Sequence, residues 1–306
     1  MAQAGPQSNQ PGHHSHTATG TFAAYYRLTK PGIIYGNVMT TAAGFLFAQS
    51  LQSGPAFDWL RFAAVLTGTA LVIAAGCVLN NIMDRHIDAK MERTKDRALV
   101  NGSIKIGHAA WFAGLLGAIG VILLARYTNM LTVYIGIAGL YSYVIAYGYS
   151  KRQGPIGTII GSFSGATPIL AGYTALTNRL DLAGALVFLA MVIWQMPHFY
   201  AIAIYRLSDY RKAGIPVLPA VKGNAHARLH ILSYILAYGL TAALLSVLGY
   251  TGWCFGIAMV ALSAYWFWQG YRTPEADGRW ARGMFGSSLT VLLVFSVLLA
   301  TNAILP

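Results

Sequence analysis

The stretch WLRFAAVLTGTALVIAAGCVLNNIMDRHIDAK, residues 59–90, runs from an apolar segment into a polar one without a break. No charged residue stands between Arg61 and Asp84. A helix needs about 20 mostly apolar residues to cross a hydrocarbon core about 30 Å thick, so residues 59–80 read as a membrane-spanning helix. Polar groups begin where the span ends, and polar groups at that depth face a cavity or a protein partner rather than lipid.

The same pattern recurs along the chain. Of 306 residues, 56% are hydrophobic and 10% charged, and the mean hydropathy is +0.53. That balance suits lipid better than a soluble core. Apolar runs predict spans at 32–50, 59–80, 107–126, 130–148, 155–177, 182–203, 229–249, 252–270 and 284–304. Barrel strands are excluded, because they are only about 10 residues long and alternate strictly. The predicted fold is all-α: a polytopic membrane protein of about nine transmembrane helices bundled around a central cavity. Residues 25–306 form the intramembrane domain, and 1–24, rich in Gln, Ser, Gly, Pro and His, read as a disordered tail. His13, His14 and His16 in that tail would hold metal only adventitiously. Cys77 and Cys254 are single, distant and set in apolar segments, which points to packing rather than to a disulfide or thiolate metal site.

Charge sets the orientation. With nine spans, 18 of the 21 Lys and Arg residues fall on the side of the N-terminus, and only Arg61, Arg126 and Arg179 fall on the other. Basic loops stay cytoplasmic, so the N-terminus is predicted inside, in a plasma membrane of bacterial type. The net charge of +12 is then topological. It favours anionic membrane lipid as a partner, and no nucleic-acid-binding pattern accompanies it.

Only nine acidic residues occur, and Asp84, Asp88, Glu92 and Asp96 follow one another at a spacing of four. Four residues advance a helix by about 40° beyond a full turn, so Asp84 and Asp88 share a face that Asn80 begins. Like charges at that spacing are destabilising unless something positive lies between them. A divalent cation would serve, and two carboxylates with an amide oxygen suit Mg²⁺, which also binds substrate phosphates. The competing reading is a solvated loop neutralised by Arg85, Lys90, Arg93 and Lys95. A second loop, YRLSDYRKAGIPVLP at residues 205–219, falls on the same side. There Arg206, Arg211 and Lys212 would grip phosphate oxygens and Asp209 would share a second metal ion. Lys151 and Arg152 open the fifth span as further diphosphate ligands. Within that span Gly161, Gly165 and Pro168 permit close helix packing. In the sixth span, WQMPHFY places His198 inside the membrane beside Pro197. Its partner is either a carbonyl freed by the proline or a metal or substrate group.

Asn80, Asp84 and Asp88 together form the NxxxDxxxD pattern, and with the nine spans and the second acidic loop the chain resembles the UbiA superfamily of intramembrane prenyltransferases. The segments LTKPGI (28–33), NNIMDRHIDAKMERTKDR (80–97), YSKR (149–152), GSFSGATPILAGY (161–173), WQMPHF (194–199) and DYRKAGIPVLP (209–219) resemble its haem-modifying branch. The resemblance implies transfer of farnesyl from farnesyl diphosphate to a vinyl group of haem B, with water added, giving haem O. It implies Mg²⁺ or a similar divalent cation on Asp84, Asp88 and Asp209. It places the diphosphate on Asn80, Arg93, Lys151, Arg152, Arg211 and Lys212, and the haem, as substrate, on His198. Tyr141, Tyr147, Phe163 and Trp194 are candidate aromatic walls for an allylic cation. Contact with haem A synthase or a terminal oxidase also follows from it. One departure stands out: the superfamily often has a second acid four residues after the first in the later loop, and here that position is Ala213. A prenyltransferase acting on an aromatic quinone precursor would share the first Asp motif but lack the WQMPHF and DYRKAGIP pair. A secondary transporter would place its acids at midplane and show inverted repeats.

Overall fold

The computed structural model describes residues 18–52, 56–273 and 275–302, and every regular element among them is helical. The chain opens with α1 (Ala18–Leu28), α2 (Pro31–Ser50), α3 (Trp59–Asp88) and α4 (Ile106–Tyr127). Next, α5 (Met130–Tyr141) continues through a π-helical turn, Ser142–Tyr147, into α6 (Gly148–Ser150). Two long helices follow, α7 (Ile156–Thr177) and α8 (Leu182–Tyr205), then two short ones, α9 (Leu207–Lys212) and α10 (Leu218–Lys222). The chain closes with α11 (Asn224–Val247), α12 (Trp253–Tyr271) and α13 (Gly278–Ala300).

Counting α5 to α6 as one rod, nine long helices lie among the described residues, and seven of them are long and apolar enough to cross a membrane. The two that fall short are α2 and α12. Polar side chains dilute α2, but Thr40 and Thr41 return their hydroxyl protons to the carbonyl of Asn37 at 2.9 and 2.8 Å, so little polarity is left exposed. Tyr, Trp and Gln side chains do the same to α12.

Three boundaries differ from the hydropathy reading. Both α11 and α13 begin five or six residues before the predicted spans at 229 and 284, because Arg228, Arg279 and Arg282 cut the apolar signal while the backbone is already helical. At α13 the start is set by Asp277, whose carboxylate accepts from Arg279 N and Trp280 N at 3.0 and 2.7 Å. Asp58 and Asp181 cap α3 and α8 in the same way, so three of the nine acids are spent on helix starts. The tail predicted over 1–24 is helical from 18 onward as part of α1. His13, His14 and His16 lie outside the described residues.

Each long helix packs against the next in order, and α13 closes the ring on α2. Inside it, α2 also packs along α7 and α8 along α13. The approach of α2 to α7 is reciprocal and depends on glycine. A Cβ on Gly44 would sit 2.1 Å from the carbonyl oxygen of Ile169, and one on Gly172 would sit 2.0 Å from that of Thr41. Backbones this close gain dispersion contact where no hydrophobic force separates helix from lipid. Gly172→Val should therefore force the pair apart at a cost of about 1–3 kcal/mol, read as a lower thermal midpoint of the detergent-purified protein. An unchanged midpoint would mean that this contact does not hold the ring. The predicted small-residue packing of α7 is present too: Tyr147 lies against Gly161, and Gln195 occupies the space a Cβ on Gly165 would need.

Candidate active site

Asn80, Asp84 and Asp88 stack along the last turns of α3, all three buried. The helix stops at Asp88, where Thr94 Oγ1 donates to the Asp88 carbonyl at 2.8 Å and helps satisfy the helix end. The spacing of four that runs from Asp84 to Asp96 is therefore helical only as far as Asp88. Glu92 and Asp96 lie in a turn, exposed, with Glu92 paired to Lys95 at 2.5 Å. For these two acids the solvated-loop reading holds.

The first two acids have other partners. Asp84 Oδ2 takes a very short bond from Lys151 Nζ, and Asp84 Oδ1 takes one from Arg152 Nη2 at 3.3 Å. Asp88 Oδ2 takes one from Arg97 Nη1 at 2.6 Å, and the same nitrogen reaches Asn81 Oδ1 at 3.1 Å. None of the four cations proposed as local neutralisers fills this role.

Another cation, Lys30, joins Asn80 from the chain's beginning. Its Nζ donates to Asn80 Oδ1 at 2.6 Å, while Asn81 Nδ2 donates to the Leu28 carbonyl at 2.8 Å. The α1–α2 turn is thus pinned to α3. Lys30 has φ 54°, a left-handed conformation that costs a non-glycine residue about 1–3 kcal/mol and persists only where its surroundings enforce it. Burial pushes its ammonium down to about 8, so the site holds a cation that an arriving anion would stabilise.

These groups form the polar mouth of a cavity of about 680 Å³, lined there by Lys30, Asn80, Asp84, Asp88, Arg97 and Lys151. The volume is in the usual range for a small-molecule site. The π-helical turn in α5 brings Tyr143 and Tyr147 to the cavity wall, stacked at 5.9 Å, with Lys151 Nζ 5.0 Å above the Tyr147 ring. Such turns recur at functional sites because they re-aim side chains within a helix. Trp194 also lines the cavity. Tyr141 and Phe163 do not: they are 63% and 49% exposed and face outward. Cys77, read as packing, is buried and lines the wall.

The later loop contributes differently from expectation. Asp209 is buried off the cavity lining; its backbone carbonyl accepts from Ala213 N at 3.0 Å, while its carboxylate makes no hydrogen bond or ion pair among the described residues. Tyr210 beside it lines the cavity, with the Arg93 guanidinium 5.8 Å above its ring. Burial raises the Tyr210 phenol above its ordinary value, partly offset by Arg93, so it stays protonated. Arg211 and Lys212 are exposed and lie off the cavity lining. The structure brings Asp84, Asp88, Asn80, Arg93 and Lys151 to one mouth with Arg152 at its edge, and leaves Arg211 and Lys212 outside.

His198 on α8 is half-buried and lines the same cavity. Its ring packs against those of Trp194 and Phe285, at centroid distances of 5.0 and 4.9 Å. Hydropathy and spacing single out neither Lys30, at the edge of a span, nor Arg97, within a basic loop, because a basic residue in either place reads as orientation only.

A ring of membrane helices enclosing an acid-and-cation mouth over an aromatic cavity is the architecture of an intramembrane transferase, and the UbiA prenyltransferase family model matches residues 37–289. The chain belongs to that family. Its relatives include protoheme IX farnesyltransferases: that of Salmonella arizonae is 43% identical over 289 residues, covering 93% of this chain and 96% of the relative. One from an Enterobacter species is 44% identical over 290 residues, covering 93% and 96%. Among solved structures, one of a digeranylgeranylglyceryl phosphate synthase in membranes superposes with a TM-score of 0.75 at 18% identity, covering 92% of this chain and 98% of that one. A UbiA homologue from Archaeoglobus fulgidus bound to GPP and Mg²⁺ gives 0.70 at 13%, covering 90% and 99%.

Proposed function

We propose that this protein is a haem farnesyltransferase, moving a farnesyl group from farnesyl diphosphate to a vinyl group of haem B with addition of water. The observation that carries the reading is a single cavity lined both by a cluster of carboxylates and cations and by a histidine set among aromatic rings. Near-full-length similarity to protoheme IX farnesyltransferases supports the haem acceptor. The WQMPHF and DYRKAGIP segments both contribute residues to the wall, which favours it over an aromatic quinone precursor. The cavity-lining acids Asp84 and Asp88 lie together at the C-terminal end of α3 rather than at midplane, which disfavours a transporter.

The mouth suits a divalent cation bound with the diphosphate. Among the described residues no three His, Cys, Asp or Glu form a closed metal cluster, but Mg²⁺ typically uses one or two carboxylates together with substrate phosphates and water. Asp84 and Asp88, which line the mouth, would hold it, and Asp209, whose buried carboxylate has no partner among the described residues, would take a share from beside Tyr210. When bound, the ion supplies charge to the leaving diphosphate. Lys151, Arg97, Lys30 and Arg93 line the mouth and Arg152 borders it, so they bind and orient phosphate oxygens. Breaking the farnesyl C1–O bond leaves an allylic cation, which Tyr143, Tyr147 and Trp194 shelter from water and face with π-electrons. The vinyl terminal carbon attacks it, the adjacent carbon takes the positive charge, and water adds there with loss of a proton. The excess of Lys and Arg in its loops supports a cytoplasmic mouth, in keeping with a bacterial-type inner membrane.

The decisive assay combines the purified protein with haem B, farnesyl diphosphate and Mg²⁺, with mass analysis for haem O. Product from a hydroxybenzoate acceptor and none from haem would move the assignment to quinone-precursor chemistry. A second measurement bears on Lys30. Lys30→Met should weaken binding of a non-reactive farnesyl diphosphate analogue by about tenfold or more, since a hydrogen bond to a charged group contributes about 1.5–3 kcal/mol. Equal titration curves for the two proteins would remove Lys30 from the diphosphate site.

A further inference from the structure

Ser288 on α13 is fully buried and receives two residues one turn apart on α8. Its carbonyl accepts from Trp194 Nε1 at 2.9 Å, and its hydroxyl lies 2.8 Å from His198 Nδ1. The same hydroxyl oxygen stands 2.5 Å from the carbonyl oxygen of Phe285. Two oxygens that close share a proton, and a carbonyl has none to give, so the one serine proton points to Phe285. The hydroxyl can then only accept from His198, and Nδ1 must carry hydrogen. In a neutral imidazole this leaves the lone pair on Nε2. That nitrogen has no hydrogen-bond partner among the described residues, and the ring lines the cavity. The rings of Trp194 and Phe285 pack against it and restrict its plane.

We propose that Ser288 is a positioning residue for the haem substrate: it fixes His198 in the Nδ1–H tautomer and presents Nε2 to the cavity as an axial donor to the haem iron. The inference rests on the haem reading given above. Histidines that bind metals usually donate their other N–H to a fixed acceptor, which sets the tautomer and raises the basicity of the ligating nitrogen. Here the acceptor is a hydroxyl anchored to a backbone carbonyl, a chain His198–Ser288–Phe285 that no titration of a carboxylate can interrupt. The separate bond from Trp194 to the Ser288 backbone keeps α8 against α13 when the hydroxyl is removed.

The test is resonance Raman spectroscopy of the purified protein with ferrous haem B, alongside haem and farnesyl diphosphate titrations. The wild-type protein should show an iron–histidine stretch that is lost in H198A. In S288A, and in the size-matched S288C, the band should persist at lower frequency. Haem affinity should fall by about tenfold, the usual scale for losing an outer-shell partner, with farnesyl diphosphate affinity unchanged. An unshifted band with unchanged haem affinity in either Ser288 variant would overturn the positioning role and leave the haem reading standing. A wild-type protein without the band, or a band that survives in H198A, would instead overturn His198 as the haem ligand.

Discussion

Asp84→Asn should reduce farnesyl transfer by at least about 10²–10³-fold, the scale for losing one group that stabilises charge developing on a leaving group. The same change should also destabilise the protein. Lys151 and Asp84 are both close to nine-tenths buried as a pair, and removing one partner of a buried pair leaves an uncompensated charge at a cost of about 3–5 kcal/mol. Arg152, half-exposed, adds little to that figure. The two effects separate in the double variant Asp84→Asn with Lys151→Met, which should regain much of the lost thermal stability and none of the turnover. Recovery of turnover with stability would show that Asp84 serves only to neutralise Lys151. Asp88→Asn should abolish transfer with a smaller loss of stability, because its partner Arg97 is more exposed and also holds Asn81.

The second large effect is expected at His198, on the aromatic part of the cavity wall. His198→Ala should weaken haem B binding on the order of 100-fold or more while leaving farnesyl diphosphate binding within about twofold, since the ring is the ligand-type group of the apolar wall and has no contact with the phosphate mouth. Absorption titration with haem and calorimetry with a diphosphate analogue measure the two separately. Equal losses of both ligands would point to collapse of the α8–α13 contact, and no loss of either would return His198 to helix packing. Added imidazole should restore the haem spectrum of the variant if the lost group was an iron ligand.

Much of the site could be reasoned from local spacing. Asp84 and Asp88 share a face with Asn80 because a helix returns to the same side every four residues or so, and the prediction survives wherever the helix does. Where the helix ends, it fails. Glu92 and Asp96 continue the spacing but not the face, since Thr94 folds back on the Asp88 carbonyl and the chain turns. Arg211 and Lys212 failed for a related reason: basic residues beside an acid read alike whether they point to substrate or to water, and α9 turns both of them outward.

By itself the sequence determined the membrane class, the nine long helices within a few residues, and the pairing of Asn80, Asp84 and Asp88 on one helical face, because hydropathy and helical periodicity act over a single turn or a single span. Only the tertiary structure decided what those groups meet. Lys151 reaches Asp84 from 67 residues away, Lys30 reaches Asn80 from 50, and His198 meets Ser288 across 90. Such partners depend on how closely helices approach and at what rotation, which glycines such as Gly44 and Gly172 permit and the packing of the whole ring then sets. No residue carries that rotation in its own identity.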